Sequence, residues 1–197
     1  GLPKIFLENM DFEKYADFVI NYPLLFIYKN KVHKNLNNKS FGDFMKGKLS
    51  EANNALPSIK DLELHLSTIF TEVRLKKYIE MRSIDACEWD CHCAGPAFYT
   101  GLVYGNLDEI LDLIKEWKSE DVLKAYIDAP KKGLETEIKC KSILEWGKIF
   151  LKLSYKGLQD RNFKNKDGYN ETIFLKNVEQ ILQQNKTKAE KTLENYN

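Results

Sequence analysis

The residue types best suited to chemistry recur at every second position of one short segment, 72–82. Side chains two positions apart in a strand project from the same face, so a strand here sets Glu80 beside Arg82. A carboxylate supplies the hard oxygen ligands that Mg²⁺ prefers, and a guanidinium presents a planar fork to phosphate oxygens. The segment is therefore a candidate nucleotide–metal site. The row consists of Arg74, Lys76, Tyr78, Glu80 and Arg82.

Arginine is scarce in the chain, which draws attention to the same segment. Lys and Arg together number 30, and the arginines are Arg74, Arg82 and Arg161. Arg is permanently charged and binds carboxylate or phosphate at two points, whereas Lys is the commoner solvent-facing cation. Chance alone also accounts for two arginines in one segment, and Arg161 has no role in this interpretation.

Apolar residues alternate with the charged ones, which predicts one long strand over 72–82. One face of this strand would pack against a core, and the other would carry the charges. The same pattern fits a solvated sheet face with cross-strand ion pairs, and the pattern does not decide between the two. The apolar positions are Val73, Leu75, Ile79 and Met81.

Cysteines are concentrated just after this segment. They include zinc-ligand types, but neighbouring ligands at 91, 92 and 93 point in divergent directions, and no pair of CxxC knuckles is present. Cysteines acting as small buried hydrophobes are the preferred interpretation. Cysteines without a secretory signal predict a reducing compartment and a cytoplasmic protein. The group is Cys87, Cys91, His92 and Cys93, with Cys140 further along the chain.

The elements around these residues predict an α+β fold, with strands within about 1–93 and a mostly helical region over about 94–197. Helical spacing and helix-end signals predict the first helices, and a short aromatic run predicts a buried strand. The elements expected before residue 72 are a helix from Asp11 to Pro23, a strand over 24–28, a loop over 33–39, a helix behind a Ser40–Asp43 capping box and a helix over Asp61–Ser67.

Apolar stripes at helical spacing predict that the chain is helical after Pro96, with the stripes packed into a core. Asn106, Ser119 and a Thr187–Glu190 capping box are the expected helix starts. The stripes are Leu107, Ile110, Leu111, Ile114 and Trp117; Ile143, Trp146, Phe150 and Leu153; and Phe174, Val178, Ile181 and Leu182.

The composition limits the class of protein. A chain with 43% hydrophobic and 30% charged residues and a formal net charge of +1 is typical of one soluble globular domain or two small ones. It offers no broad basic surface for nucleic acid and no run near the roughly 20 apolar residues that span a bilayer. We therefore expect neither nucleic acid nor membrane as a partner. Because the sequence starts at Gly1-Leu2-Pro3, without Met or a signal peptide, we expect a fragment.

The chain carries the run LHLSTIFTEVRLKKYIEMR at 64–82, then Asp85, Trp89, PAFY at 96–99 and Gly101-Leu102. These residues resemble the glutamate–cysteine ligase family in its plant-type and proteobacterial branch. The resemblance extends from FEKY at 12–15 to AEK at 189–191 and YN at 196–197, and it corresponds to the carboxy-terminal part of a family member. Departures include Thr71, Ser83-Ile84 and the extra Cys87 and Cys91. Cys93, in contrast, is similar to a family cysteine that takes part in redox control in plant-type members.

The resemblance implies ATP-dependent joining of the L-glutamate γ-carboxylate to the L-cysteine amine through a γ-glutamyl phosphate, with ATP and Mg²⁺ as cofactors. By the family's Glu-x-Arg motif, Glu80 would bind Mg²⁺, and Arg82 would contact ATP phosphate and take part in catalysis. Arg74 is a second catalytic candidate on the same face. Lys76 and Tyr78 are candidates for ATP or substrate contact.

The family resemblance also implies a curved antiparallel sheet like that of glutamine synthetase, with ATP, metal and glutamate on its concave side. The other metal carboxylates would belong to the missing amino-terminal half of the same enzyme, so we expect the fragment to be inactive alone. Three alternatives stay open: a ligase with another amine acceptor, a non-catalytic helical interaction domain, and a metal-binding redox module on the cysteine cluster.

Overall fold

A computed structural model of the chain describes residues 10–29, 31–36 and 38–196. It divides into two units, one ending at Ile84 and the other beginning at Asp85. The start of the sequence at Gly1-Leu2-Pro3 and the terminal Asn197 lie outside the described residues. Mixed helices and antiparallel strands confirm the α+β class.

Helix α1 (Phe12–Asn21) begins the described part of the first unit, as its end signals predict. The Asp11 carboxylate accepts a hydrogen bond of 2.8 Å from the backbone N–H of Lys14, which satisfies one of the helix's unpaired donors. Tyr15 and Val19 are buried on one face of the helix. The helix ends before Pro23, because proline cannot continue the hydrogen-bond ladder.

The next two strands form a hairpin, of which only the first was expected. Strand β1 (Phe26–Lys29) pairs antiparallel with β2 (Val32–Asn35). The prediction of a loop over 33–39 is therefore wrong for 33–35. Every residue of β2 is exposed, so the strand lacks the alternating hydrophobicity that identifies a half-buried strand in sequence.

Two capped helices complete the core of the first unit. Helix α2 (Phe41–Met45) has the predicted Ser40–Asp43 capping box, and α3 (Ile59–Ser67) has another at Ser58–Asp61. A 3-10 turn lies between them at Ser50–Ala52. The apolar core beneath consists of Leu24, Ile27, Leu36, Phe41, Phe44, Leu49 and Ala52.

The charged segment is a hairpin and not the single long strand that its alternation predicts. Strand β3 (Val73–Leu75) turns at residues 76–78 and pairs antiparallel with β4 (Ile79–Met81). The backbone N–H of Lys76 donates 2.9 Å to the Tyr78 carbonyl within the turn. Directly opposed residues share a face in an antiparallel pair, so even-numbered and odd-numbered strand positions still lie on opposite faces.

The second unit is mainly helical, and α4 packs against α7 at its centre. A small hairpin of two-residue strands, which the sequence did not reveal, precedes α7. Its helices and strands are α4 (Ala94–Gly105), α5 (Leu107–Ile114), α6 (Ser119–Lys132), β5 (Glu137–Ile138), β6 (Lys141–Ser142), α7 (Ile143–Arg161), α8 (Lys176–Gln184) and α9 (Lys188–Glu194), with 3-10 turns at Trp89–Cys91, Gly133–Glu135 and Glu171–Leu175.

Glycines allow α4 and α7 to approach closely. A Cβ atom placed on Gly157 would lie 2.0 Å from the Gly101 carbonyl oxygen, and one on Gly105 would lie 2.2 Å from the Gly157 Cα. Such distances are far inside van der Waals contact, so the crossing excludes any side chain at these positions. Buried residues beside it are Ala97, Leu151, Leu158, Leu175 and Leu182.

Two predictions for the helical region are wrong in detail. The α5 stripe is not a core stripe, because Leu107 and Leu111 are 47% and 51% exposed. Asn106 precedes α5 but does not cap it through its side chain. Its amide instead donates 2.8 Å to the Leu153 carbonyl and accepts 2.8 Å from Lys156, which ties the residue to α7. None of the described helices is both long and apolar enough to cross a bilayer.

Candidate functional site

The β3–β4 hairpin sets Arg74 and Glu80 directly opposite each other. Glu80 also contacts two further cations, and we call Arg74, Lys76, Glu80 and Arg82 the Glu80 cluster. The hairpin turn, rather than a shared strand, therefore brings these sequence-predicted residues together. Arg74 and Glu80 thereby also form the cross-strand ion pair that an ordinary solvated sheet face would show.

Arg74 is the buried member of the cluster, with 5% of its surface exposed. Its Nε and Nη2 atoms lie 2.9 and 2.8 Å from Glu80 Oε2. Its Nη1 atom donates 2.6 Å to the carbonyl oxygen of Ser67, the last residue of α3, and 3.4 Å to that of Ile69. Every arm of the guanidinium is thus engaged within the fold, so Arg74 fixes Glu80 to the end of α3.

Arg82 and Lys76 approach Glu80 from the more open side. Arg82 Nη1 donates 3.0 Å to Glu80 Oε1, and Lys76 Nζ lies 3.7 Å from Oε2. The Arg82 guanidinium also lies 5.5 Å from the centre of the Phe70 ring, which orients its plane. Hydrogen bonding from Arg74, with smaller effects of Arg82 and Lys76, lowers the pKa of Glu80 below its ordinary value. Glu80 is therefore ionised at neutral pH.

The charge of the Glu80 cluster favours an anion over a bare metal ion. Three cations and one carboxylate leave two excess positive charges, and both carboxylate oxygens already accept charged hydrogen bonds. A divalent cation at Glu80 would have to approach three like charges. The cluster by itself thus fits phosphate oxygens and does not fit Mg²⁺.

Tyr78 lies in the turn rather than in either strand, and it is 60% exposed. The sequence alternation predicted Tyr78 on the same strand face as Glu80, but Tyr78 is not part of the Glu80 cluster. It adjoins Lys76 through the hydrogen bond within the turn. Its phenol is available at the tip of the hairpin to a planar or polar ligand.

The opposite face of the hairpin is apolar and is packed only in part as predicted, because Leu75 contacts the core cluster of Tyr15, Val19 and Ile69. It lines a groove of about 390 Å³ together with the start of α1. Ile79 is 68% exposed there. The Tyr15 hydroxyl accepts 3.1 Å from the backbone N–H of Leu75, which joins α1 to β3. The groove is lined by Met10, Asp11, Phe12, Tyr15, Val73, Leu75 and Ile79.

His65 is a buried residue near the site that the sequence analysis missed. Its Nε2 atom donates 2.8 Å to the Val19 carbonyl oxygen, and its ring stacks on Phe41 with centres 5.0 Å apart. Its Nδ1 atom has no hydrogen-bond partner among the described residues. Burial lowers the pKa of His65 below 6.5. Its only sequence signal is a histidine within an otherwise amphipathic helix.

We expect acid to destabilise the fold through His65. The unfolded chain binds a proton near pH 6.5 and the folded chain at a lower pH, so the free energy of unfolding falls as pH drops below about 6.5. Replacing His65 with Gln keeps a donor for Val19 and removes the titration. Urea unfolding at pH 7.5 and 5.5 should therefore show a smaller pH effect in His65→Gln than in the parent. His33→Gln is the control because His33 is exposed, and equal pH effects in all three proteins would contradict the assignment.

Arg161 has a structural environment in the second unit. Its guanidinium lies 4.9 Å from the Phe163 ring centre and 5.5 Å from that of Tyr104, and its Nε lies 3.8 Å from Glu171. These contacts attach the last turn of α7 to α4 and to the following loop. These contacts give Arg161 a structural role, so no catalytic role is needed to explain it.

The cysteines differ from the small buried hydrophobes that were expected. Cys87 and Cys91 form a disulfide, and Cys93 and Cys140 are free and exposed. Burial holds only for Cys91, at 5% exposed. Spacing alone does not reveal the pairing, because it depends on a single 3-10 turn at Trp89–Cys91.

The sequence of the chain matches the family model described as glutamate-cysteine ligase family 2 over residues 1–196. The chain belongs to this family. It is 38% identical over 197 residues to the glutamate–cysteine ligase, chloroplastic, of Solanum lycopersicum, with 99% of this chain and 36% of that protein covered. Its identity to the Arabidopsis thaliana protein of the same name is 37% over 198 residues, with 100% and 37% covered.

The relatives also correct one prediction and show how much of their length this chain spans. Glutamate–cysteine ligase A, chloroplastic, of Oryza sativa subsp. indica is 38% identical, with 99% of this chain and 39% of that protein covered. The chain thus spans between 36% and 39% of the length of these relatives. Because they are all named chloroplastic, the cytoplasmic location expected from the cysteines is wrong.

Proposed function

We propose that the chain is the carboxy-terminal part of an ATP-dependent ligase that joins the γ-carboxylate of L-glutamate to the amine of L-cysteine. The match of residues 1–196 to glutamate-cysteine ligase family 2 carries this proposal. The reaction would pass through a γ-glutamyl phosphate, as the first step of glutathione synthesis. The names of the relatives point to a plastid as its location.

The Glu80 cluster would bind the phosphates of ATP. Arg82 and Lys76 lie on its open side, and their charges would offset the negative charge that develops on the phosphoryl oxygens during transfer. Positioned cations act strongly in such transfers because the phosphoryl group needs electrostatic stabilisation more than covalent chemistry. Tyr78, at the hairpin tip, would contact the nucleotide or substrate.

Arg74 and Glu80 would hold these cations in place. Arg74 is a positioning residue in this proposal, because its donors are engaged by Glu80 and by the end of α3. Mg²⁺, when bound with ATP, supplies charge neutralisation on the phosphates. Glu80 would contact the metal only with further carboxylates from the remainder of the enzyme. We further propose that the hairpin joins that remainder in a curved antiparallel sheet like that of glutamine synthetase.

Turnover of the full-length protein tests the proposed reaction. We expect phosphate release from ATP that requires both glutamate and cysteine, and none from the isolated 197 residues, since the chain spans less than two fifths of its relatives. Other amines offered in place of cysteine identify the acceptor. A folded full-length protein without this turnover would overturn the ligase proposal, and activity of the isolated chain would overturn its dependence on the remainder.

A further inference from the structure

Residues 87–91, which lie outside the Glu80 cluster, carry several side chains that can bind a metal ion. Ligand atoms of Glu88, Asp90 and Cys91 all lie within 4.8 Å of one another. Cys87 is disulfide-bonded to Cys91, so its sulfur adjoins the same group. Two sulfurs and two carboxylates therefore converge within five consecutive residues.

The local backbone explains this convergence. Residues Trp89–Cys91 form one turn of 3-10 helix that begins directly after Glu88. The turn brings the Cys91 sulfur to 3.1 Å from the Glu88 carbonyl oxygen and 3.9 Å from Glu88 Oε2. The Cα atoms of Cys87 and Cys91 are 6.1 Å apart, so both sulfurs face the same space.

We propose that, once the disulfide is reduced, Cys87 and Cys91 bind a Zn²⁺ ion together with the carboxylates of Glu88 and Asp90. Two thiolates and two carboxylates provide the four ligands of a tetrahedral zinc site. Atoms bound to one such ion lie roughly 3.4–3.8 Å apart, so the group must contract by about 1 Å. Glu88 and Asp90 are exposed, and rotation of their side chains achieves this contraction.

Formation of the site includes a defined redox step. A dithiol reductant transfers two electrons and two protons to the Cys87–Cys91 disulfide and becomes a disulfide itself. Zn²⁺ then replaces the two thiol protons, which are released to solvent. The oxidised chain lacks thiolates at both positions, so metal binding and the disulfide exclude each other.

Lys188 is the competitor for this site. Its Nζ atom lies 2.6 Å from Glu88 Oε2, so the lysine occupies an oxygen that the metal would need. A bound metal would displace the lysine from that oxygen. Removing the charge of Lys188 should therefore strengthen metal binding.

The zinc site is independent of the proposed ligase reaction. The Glu80 cluster contains neither cysteine, and metal binding at 87–91 is measured without turnover. The two proposals can therefore fail separately.

Metal titration of the full-length protein tests the site. Protein reduced with a dithiol and freed of the reductant is titrated with Zn²⁺ against a chromophoric chelator, and with Co²⁺ to detect thiolate-to-metal charge transfer. We expect one ion bound through these residues in the reduced protein and none there in the oxidised protein. Cys91→Ser and Cys87→Ser should each weaken binding by at least about 100-fold, since loss of outer-shell partners alone costs 10–100-fold.

Matched variants decide whether the assigned residues form the site. Cys140→Ser is the control, because Cys140 is an exposed free thiol in the same unit, and it should bind as the parent does. Asp90→Asn should bind more weakly and Lys188→Met more tightly. Failure of the reduced parent to bind, or undiminished binding by folded Cys87→Ser or Cys91→Ser, would overturn the proposal. Circular dichroism of each variant establishes that it is folded.

Discussion

Replacing Arg82 with Ala in the full-length protein should lower glutamate- and cysteine-dependent ATP hydrolysis by at least about 100-fold, a loss typical of removing one charge-stabilising donor. Arg82 is the arginine on the open side of the Glu80 cluster, with one arm on Glu80 and its face against Phe70. Its removal would take away the proposed two-point contact with ATP phosphate, which Lys76 cannot replace as a point charge. Phosphate release under saturating substrates measures the effect.

Three further variants separate this role from general effects on the hairpin. Lys77→Ala removes an exposed charge from the same turn and should keep normal turnover. Arg82→Lys keeps the charge without the fork and should recover only part of the activity. Glu80→Gln should also abolish turnover, because it releases the cations that Glu80 orients. Near-normal rates in folded Arg82→Ala or Glu80→Gln would contradict the assignment.

Replacing Gly157 with Ala should destabilise the helical unit by about 1–3 kcal/mol or more, the usual cost of overpacking. The added Cβ would lie 2.0 Å from the Gly101 carbonyl oxygen and 2.8 Å from the Asn106 amide nitrogen. Neither group moves cheaply, since one is helix backbone and the other is bonded to α7. This cost exceeds the roughly 1 kcal/mol that Ala gains over Gly in helix propensity.

Hydrogen exchange of α4 and α7 amides in the full-length protein measures this effect locally. Gly147→Ala is the matched control on the same helix, because its Cβ meets Leu182 Cδ2 at 2.7 Å, and that methyl group ends a flexible side chain. We expect a clearly smaller loss of protection there. Equal protection in Gly157→Ala and the parent would rule out the close helix crossing.

Helix-end features of the fold were predictable from sequence, and the pairing of strands was not. The Ser40–Asp43 and Thr187–Glu190 capping boxes were both correct, because a capping box involves residues only three positions apart. For the β3–β4 hairpin, the alternation of side chains predicts a single strand. Its turn preserves the odd–even alternation, so a strand and a hairpin leave the same pattern.

The burial of Arg74 could not be predicted from the alternation of side chains. Alternation predicted exposed charges opposite a buried apolar face, yet Arg74 is buried and Ile79 is 68% exposed. The carbonyl oxygens of Ser67 and Ile69 make burial of Arg74 possible, because they pair donors that would otherwise be costly to desolvate. Such acceptors depend on how α3 ends, which side-chain patterns do not record.

Three hydrogen bonds join α1, α3 and β3 in pairs, and together they form a closed loop. His65 connects α3 to α1, Tyr15 connects α1 to β3, and Arg74 connects β3 back to α3. A two-stranded hairpin is marginally stable by itself, so the Glu80 cluster depends on this loop for its geometry. Protonation of His65 would keep its hydrogen bond to Val19 but would place a charge in the buried part of the loop, where burial disfavours the protonated ring and lowers its pKa. Acid is therefore expected to loosen the support of the Glu80 cluster through a residue that makes no contact with Glu80.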